Sequence, residues 1–385
     1  MNRHVVSGPP LVESLEVLRQ LTERLAGERR LAFDTESASF HRYVDRVYLI
    51  QVSTDTMTAI VDPLAVDDLS PLGELLADPE TEIVFHDADY DLRTLDRDYG
   101  FRARHIFDTR IAAQLAGEPA VGLGYLLEKY FAVRLNKKHQ RADWSRRPVP
   151  EEMLAYAMDD TRYLLALRDR LEERLEQLGR LAWAREEFRL LEDLRWTGPS
   201  AEEEQPFLRM KGAKALRGRP LAVLEQLFNW RDETARQLDR APFRVLGNAA
   251  LLDIARSLPR SMPQLLKVKD LPDKLARRHG QDLLNAVQRG LELPEDQIPR
   301  IPRTKRPEPD PAYDARLERL KELRNSRAEV VGLDPGLVCP NATLGAIART
   351  VPTGPADLEQ VEDLRKWQRE VLGDREIVEA VRRET

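Results

Sequence analysis

Between residues 29 and 131 the hydrophobic period of the chain changes repeatedly, and few folds accommodate such a pattern. "RRLAFDTES", "VYLIQVS", "MTAIVDP", "TEIVFHDA" and "RHIFDT" are short β-rich runs, whereas "SPLGELLAD", "YDLRTLDRDY", "DTRIAAQLAG" and "LGYLLEKYF" place apolar residues three and four apart. The first three β-rich runs are joined by connections short enough for an antiparallel meander. The later ones need helical crossovers, which predicts a mixed sheet with helices on its faces. From Pro150 to Pro199 the chain carries neither a proline nor a strand signal, so one or two long helices are expected to close this α/β domain.

The first β-rich run ends on two acids, Asp34 and Glu36, separated by Thr35. Alternate residues of a strand share a face, so the two carboxylates aim at one place while Thr35 points away. Like charges held that close repel unless a cation, a proton or solvent compensates them. Two other segments supply more oxygen donors. Asp91 lies in the first turns of the helix that follows "VFHDA", and in "YAMDD" Tyr156 and Asp160 share a helix face, with Asp159 rotated by about 100°. Taken singly, each has an ordinary structural explanation: a strand-end turn, a charge at a helix N-terminus, a packed ring, a solvated helix face. Jointly they compose a two-metal site of hard oxygen ligands suited to Mg²⁺ or Mn²⁺. Such a pair, about 3.5–4 Å apart, serves phosphodiester hydrolysis by activating water on one side of phosphorus and stabilising the leaving 3′ oxygen on the other. Asp108, in "IFDTRIAAQL", is assigned instead to helix capping.

A chain of 385 residues exceeds one compact domain. "TGPSAEEEQPF" and "LPEDQIPRIPRTKRPEPDPAY" separate helical blocks near 210–293 and 314–384, which share the order helix, Arg-rich turn, short apolar loop, Asn, helix, as a duplicated module would. The expected division is a catalytic domain over 1–198, a first helical domain over 199–298, a Pro-rich linker over 299–312 and a second helical domain over 313–385. The single cysteine, Cys339, excludes an intrachain disulfide and a thiolate cluster, which fits a reducing cytoplasm. "MNRHVVSGPPLVESLEVL" lacks a basic region followed by an apolar core, and no later run approaches a membrane span. The expected location is cytoplasmic, with no membrane contact and a monomeric state.

"FDTES", "HDADYDL" and "YAMDD" resemble, in order, the three motifs of the DEDD exonucleases, the last being the tyrosine-containing form of the DEDDy branch. "QRADWSRRPVPEEMLAYAMDD" is similar to the ribonuclease D family in particular, and the resemblance runs from about residue 29 to 185. It implies an RNase H-like mixed sheet, two divalent metals and 3′→5′ release of nucleoside 5′-monophosphates. Carried onto matching positions, it implies that Asp34, Glu36, Asp91 and Asp160 bind metal and that Tyr156 handles the attacking water. A phenol with a pKa near 10 is a poor free base, so Tyr156 is assigned orientation and the metal activation. "NWRDETARQLDRAPFRVLGNAALLDIA" looks like an HRDC domain, a nucleic-acid-binding module of ribonuclease D and RecQ-type helicases, and the second block matches less fully.

Net charge is -6, yet residues 205–306 hold 21 Lys and Arg against 11 Asp and Glu. Phosphates set much of the affinity for RNA, so this segregated charge reads as a phosphate-tracking surface. Lys211, Lys214, Arg217, Lys267 and Lys269 are candidate contacts, with Arg219, Lys274, Arg277 and Arg278 nearby. Between the second and third motifs, "RLNKKHQRADWSRR" adds Lys137, Lys138, His139, Arg141, Arg146 and Arg147. Thr35 also joins the candidate contacts; Trp144 is expected to anchor the loop, with base stacking the alternative, and His86 is either structural or near the terminal nucleotide. The leading reading is a 3′→5′ exoribonuclease acting on single-stranded 3′ tails of structured RNA, tRNA precursors by resemblance. The alternatives are a DNA repair exonuclease, although no "GxxxxGK[ST]" helicase loop occurs, and an RNA-binding scaffold.

Overall fold

The computed structural model describes residues 11–136, 138–198, 205–301 and 310–383. Five strands, β1 (Arg30–Ser37), β2 (Val47–Ser53), β3 (Thr58–Val61), β4 (Glu82–Phe85) and β5 (Ile106–Asp108), form one sheet in the order β3-β2-β1-β4-β5. β1, β2 and β3 pair antiparallel, and β4 and β5 add parallel to β1. The expected meander and crossovers are both present. Alternation decides which side each residue covers. Leu31, Phe33, Ile83, Phe85 and Ile106 pack into one core, under the helices α1 (Leu15–Leu25), α2 (Ser70–Ala77) and α3 (Asp89–Tyr99). Ala32, Val84 and Phe107 enter the opposite core, with α4 (Thr109–Leu115) and α5 (Leu123–Phe131).

The segment after Pro150 forms three helices, not one or two: α6 (Glu151–Arg162), α7 (Leu164–Gln177) and α8 (Leu181–Glu192). The first break, at Tyr163, separates two burial tasks. Met153 and Ala157 of α6 pack with Tyr48, Leu49 and Ile60 at the meander, whereas Leu164, Leu167, Leu171 and Leu175 of α7 enter the core beneath β4 and β5. The second break follows from Gly179, which ends α7 in the left-handed conformation, φ 68°, that glycine adopts without a Cβ penalty.

Both helical blocks repeat one design. The first contains α9 (Arg219–Gln237), α10 (Pro242–Val245), α11 (Asn248–Ser257), α12 (Met262–Leu265) and α13 (Asp273–Glu292). The second contains α14 (Pro311–Val331), α15 (Pro335–Val338), α16 (Asn341–Thr350), α17 (Lys366–Leu372) and α18 (Asp374–Arg382). In the first, Arg231 donates to Asn248 Oδ1 at 2.6 Å and to the Leu246 carbonyl at 3.1 Å. In the second, Arg324 donates to Asn341 Oδ1 at 2.7 Å and to the Cys339 carbonyl at 3.2 Å. The repeated Arg and Asn of the sequence are therefore one tie made twice. Gly290 lets α13 approach α9 closely, since a Cβ there would stand 2.5 Å from Val223 Cα.

The second block shares a hydrophobic core with the catalytic domain, in which Leu344, Ile347 and Trp367 join Leu164, Leu171 and Phe188. Trp367 stacks on Trp183 at 5.3 Å, and its indole N–H donates to Glu187 at 2.6 Å. Glu186 of α8 accepts the first amides of α17, from Lys366 at 2.6 Å and Trp367 at 3.0 Å, satisfying donors that a helix start leaves open. Arg180 likewise serves two helix C-termini, donating to the carbonyls of Leu115 and Val331. Trp367→Ala is expected to cost about 3–5 kcal/mol. Chemical denaturation should show the loss in the catalytic domain itself; a separate early transition confined to the second block would contradict the shared core.

Candidate active site

Site geometry starts from the end of β1. Asp34 faces Gln51 and Glu36 faces Leu49 across the β1–β2 ladder, and the register shifts between Glu36 and Ser37, as at many strand rims beside active sites. Leu31 and Phe33 fix which way the strand faces, so Asp34 and Glu36 turn toward α6. There Asp160 joins them: one carboxylate oxygen from each of the three lies within 4.8 Å of the others. Tyr156 sits one turn earlier on α6 and is held between two rings, His139 at 5.9 Å and Trp144 at 6.0 Å.

Asp91 arrives from α3, on the other side of the sheet. Its carboxylate accepts a hydrogen bond from the Thr35 hydroxyl, and it is only 6% exposed. The site therefore employs both faces of β1: two acids directly, and the intervening threonine through Asp91. Thr35, expected as an RNA contact, has its hydroxyl committed to this acid. Asp108 is a cap, as expected, accepting from the amides of Arg110 at 2.8 Å and Ile111 at 2.9 Å. Its other oxygen accepts from Ala88 N–H at 2.7 Å, which fixes the start of the helix that carries Asp91.

Burial raises the carboxyl pKa of all four acids, and repulsion from neighbouring carboxylates adds to it: from other acids of the four at Asp34 and Glu36, from Asp108 and Asp87 at Asp91, and from Asp159 at Asp160. Asp34 is held well above the usual carboxylate range by burial and then by Asp91, Asp160 and Glu36; Glu36 by burial, Asp160 and Asp91. Burial pushes Asp91 up to about 7 against the opposing Thr35 bond, and pushes Asp160, with help from Asp159, up to about 7. Among the described residues no cation is one of these influences. Gln51, wholly buried opposite Asp34, has neither its amide nitrogen nor its oxygen bonded. Facing carboxylates without a counter-charge, beside an orphaned amide, are a donor set that fits divalent cations.

The remaining sequence candidates divide. His86 shares a hydrogen bond with Thr109 Oγ1 at 2.9 Å; that hydroxyl already donates to Phe85, so the imidazole donates from Nδ1 and leaves Nε2 open. Burial and Arg110 pull its pKa down to about 4, so the ring is neutral at pH 7. Trp144 is buried, as expected of an anchor. Arg147 is a correction: its guanidinium is bound to Asp62, the Tyr48 carbonyl and the Trp144 carbonyl, the latter two at 2.8 and 2.7 Å, and holds the loop. Lys138 pairs with Glu152 at 2.7 Å, and His139 lies 3.6 Å from the same carboxylate. Lys137 lies outside the described residues, as does most of the 299–312 linker. Arg141, Lys211, Lys214, Arg217, Lys267 and Lys269 are exposed and meet no carboxylate among the described contacts. Gln51 escaped the sequence reading. Its only signal is a polar residue within the apolar run "VYLIQVS", and its place opposite Asp34 depends on strand register.

A 3'-5' exonuclease family model matches residues 10–176, and an HRDC domain model matches 221–287 and 314–381. Ribonuclease D of Desulfotalea psychrophila is 31% identical over 366 residues, covering 94% of this chain and 96% of that protein. The chain belongs to the ribonuclease D family. Exosome complex component 10 of Mus musculus is 36% identical over 293 residues, spanning 74% of this chain and 33% of that longer protein. The crystal structure of Escherichia coli RNase D, an exoribonuclease involved in structured RNA processing, superposes with a TM-score of 0.67 at 27% identity, over 96% of each chain. As a ribonuclease D homologue with a 3′→5′ exonuclease domain, the chain is a hydrolytic exoribonuclease, and its substrate is RNA. Among the described residues no helix is long and apolar enough to cross a membrane.

A carboxyl whose folded pKa lies above its unfolded value makes stability fall as pH rises between the two. In metal-free protein, Asp91 and Asp160 should therefore lose stability from roughly pH 4 to 7, by at most about 1.4 kcal/mol per pH unit for each group. Asp160→Asn should flatten that slope in chelator-treated samples. A slope unchanged by the substitution would remove Asp160 from the repelling cluster.

Proposed function

We propose that the chain trims single-stranded 3′ tails of structured RNA, tRNA precursors among them, one nucleotide at a time, releasing nucleoside 5′-monophosphates. Asp34, Glu36, Asp91 and Asp160 would hold two divalent cations, Mg²⁺ or Mn²⁺. The observation that carries this reading is the convergence of acids from β1, α3 and α6, without a counter-charge among the described residues, beside a tyrosine. When bound, the cations activate water and stabilise the leaving 3′ oxygen.

The protein's own part is positional. Burial and the neighbouring Asp160, Glu36 and Asp34 hold the Tyr156 phenol above its ordinary pKa, so it remains protonated at neutral pH. It orients the attacking water as a hydrogen-bonding group and does not act as the base. Thr35 fixes the rotamer of Asp91, and Asp108 fixes its helix. His86, neutral and with Nε2 open, offers an acceptor to a sugar hydroxyl at the terminal nucleotide.

RNA is held outside the acids. Lys211, Lys214, Arg217, Lys267 and Lys269 belong to the first helical domain, and Arg141 to the loop before α6, where Lys138 is already paired with Glu152. The second block differs: residues 310–385 hold 12 Lys and Arg against 15 Asp and Glu. Several of its arginines are spent internally, Arg319 on the Ala380 carbonyl at 2.7 Å and Arg369 on Asp374 at 2.7 Å. It acts as a buttress of the catalytic domain, so the two HRDC-like domains, divided as 199–298 and 313–385, have different tasks. The buried thiol of Cys339 fits a reducing cytoplasm, and a monomer suffices for this arrangement.

The decisive assay offers 3′-labelled single-stranded RNA, the same sequence as DNA, and tRNA bearing extra 3′ nucleotides, with Mg²⁺ or Mn²⁺. Labelled mononucleotides from RNA and a stop at the mature tRNA end are expected. Preference for DNA, or digestion through the tRNA end, would overturn the processing role. Replacing Lys267 and Lys269 by Ala should weaken binding to all RNA sequences alike and lower the salt slope by about two. An unchanged slope would place the phosphate path elsewhere.

A further inference from the structure

Two large apolar rings face solvent where the catalytic domain meets the first helical block. Phe40, 44% exposed, and Phe243, 52% exposed, lie edge to face with centroids 6.1 Å apart. Phe40 belongs to the loop that leaves β1, and Phe243 belongs to α10. Their backbones are tied in place. Arg244 donates to the Phe40 carbonyl, the Ala241 N–H donates to the His41 carbonyl at 3.2 Å, and His41 Nε2 meets the Arg141 carbonyl at 2.9 Å. Below them, Asp232 accepts from the Tyr43 hydroxyl at 2.8 Å and Asp239 from the Tyr43 amide at 3.2 Å. The rings therefore meet because the two domains are docked.

The surrounding charge shows what they face. Arg42, within the junction, is neutralised by Asp239 at 3.1 Å and Asp143 at 3.7 Å. Arg141, whose guanidinium stands 5.1 Å from the Phe40 ring, and Arg244 meet no carboxylate among the described contacts. Exposed π-faces rimmed by uncompensated guanidinium groups match an unstacked base within a phosphate chain, because every base has a face to stack and a phosphate beside it. Phe40 is the fourth residue after Glu36, so their backbones lie within about 14 Å of each other. The rings are therefore within reach of a strand whose 3′ end sits at the acids.

We propose that Phe40 and Phe243 form a base-stacking step for the single-stranded 3′ segment of RNA, with Arg141 and Arg244 on the adjoining phosphates. The step spans both domains and exists only in the docked arrangement. It rests on the exoribonuclease reading above and adds the path by which the strand approaches the acids.

The test employs the full chain, freed of metal by a chelator, and a single-stranded oligoribonucleotide carrying 2-aminopurine at successive positions of its 3′ segment. Quenching should peak at one register in the wild type. Phe40→Leu and Phe243→Leu, which keep the apolar contact between the domains but remove the π-face, should each abolish that peak and weaken binding roughly tenfold. Phe243→Trp should retain both. If the leucine variants bind and quench like the wild type, the rings only fasten the two domains together and the stacking step is wrong. A wild type that degrades RNA while these variants are unaffected sinks this inference alone; a wild type inert toward RNA sinks the reading beneath it.

Discussion

Mutual repulsion among Asp34, Glu36, Asp91 and Asp160 is the constraint on which the rest of the structure depends. Left alone, buried carboxylates move apart or take up protons. Here they are prevented from separating by three elements anchored in two cores: β1 by Leu31 and Phe33 and α3 by Leu92 and Leu95 in one, α6 by Met153 and Ala157 in the other. The sheet is the device that holds like charges together. The cost of that arrangement would be relieved by a doubly charged cation.

The neighbouring groups serve the same end. Asp108 is far more useful as a cap than as a ligand, because three amides bound to it set the position from which α3 presents Asp91. Arg147, cationic and close in sequence to the site, is neutralised by Asp62 and holds the loop that packs Trp144 against Tyr156. The second helical block adds core beneath β4 and β5, on the side of the sheet from which α6 and α7 descend. In the first block, by contrast, Lys211, Lys214, Arg217, Lys267 and Lys269 meet no carboxylate among the described contacts.

Local pattern carried much of this. Strand alternation was enough to put Asp34 and Glu36 on one face, helical spacing to join Tyr156 with Asp160, and the sequence "IFDT" before a helix to mark Asp108 as a cap. What local pattern does not contain is pairing over long separations. Nothing near Arg147 announces that Asp62 will take its charge, and nothing near Lys138 distinguishes its bond to Glu152 from a free phosphate contact. The break at Tyr163 was equally hidden, since it arises from which core each helix faces; the break at Gly179 carries only a single glycine as its local signal. Gln51 and the Phe40–Phe243 pair became visible only once strand register and domain docking were known.

The central claim is that these acids are compensated by divalent cations. Calorimetric titration of Mn²⁺ into the metal-free chain near pH 7, with and without an RNA 3′ end, in buffers of different ionisation enthalpy, tests it most directly. The expected result is saturable binding accompanied by proton release, because Asp91 and Asp160, both near 7, must give up protons to bind a cation. Asp34→Asn should abolish or greatly weaken it. Saturable binding that survives that substitution, or no binding even with RNA present, would contradict the claim.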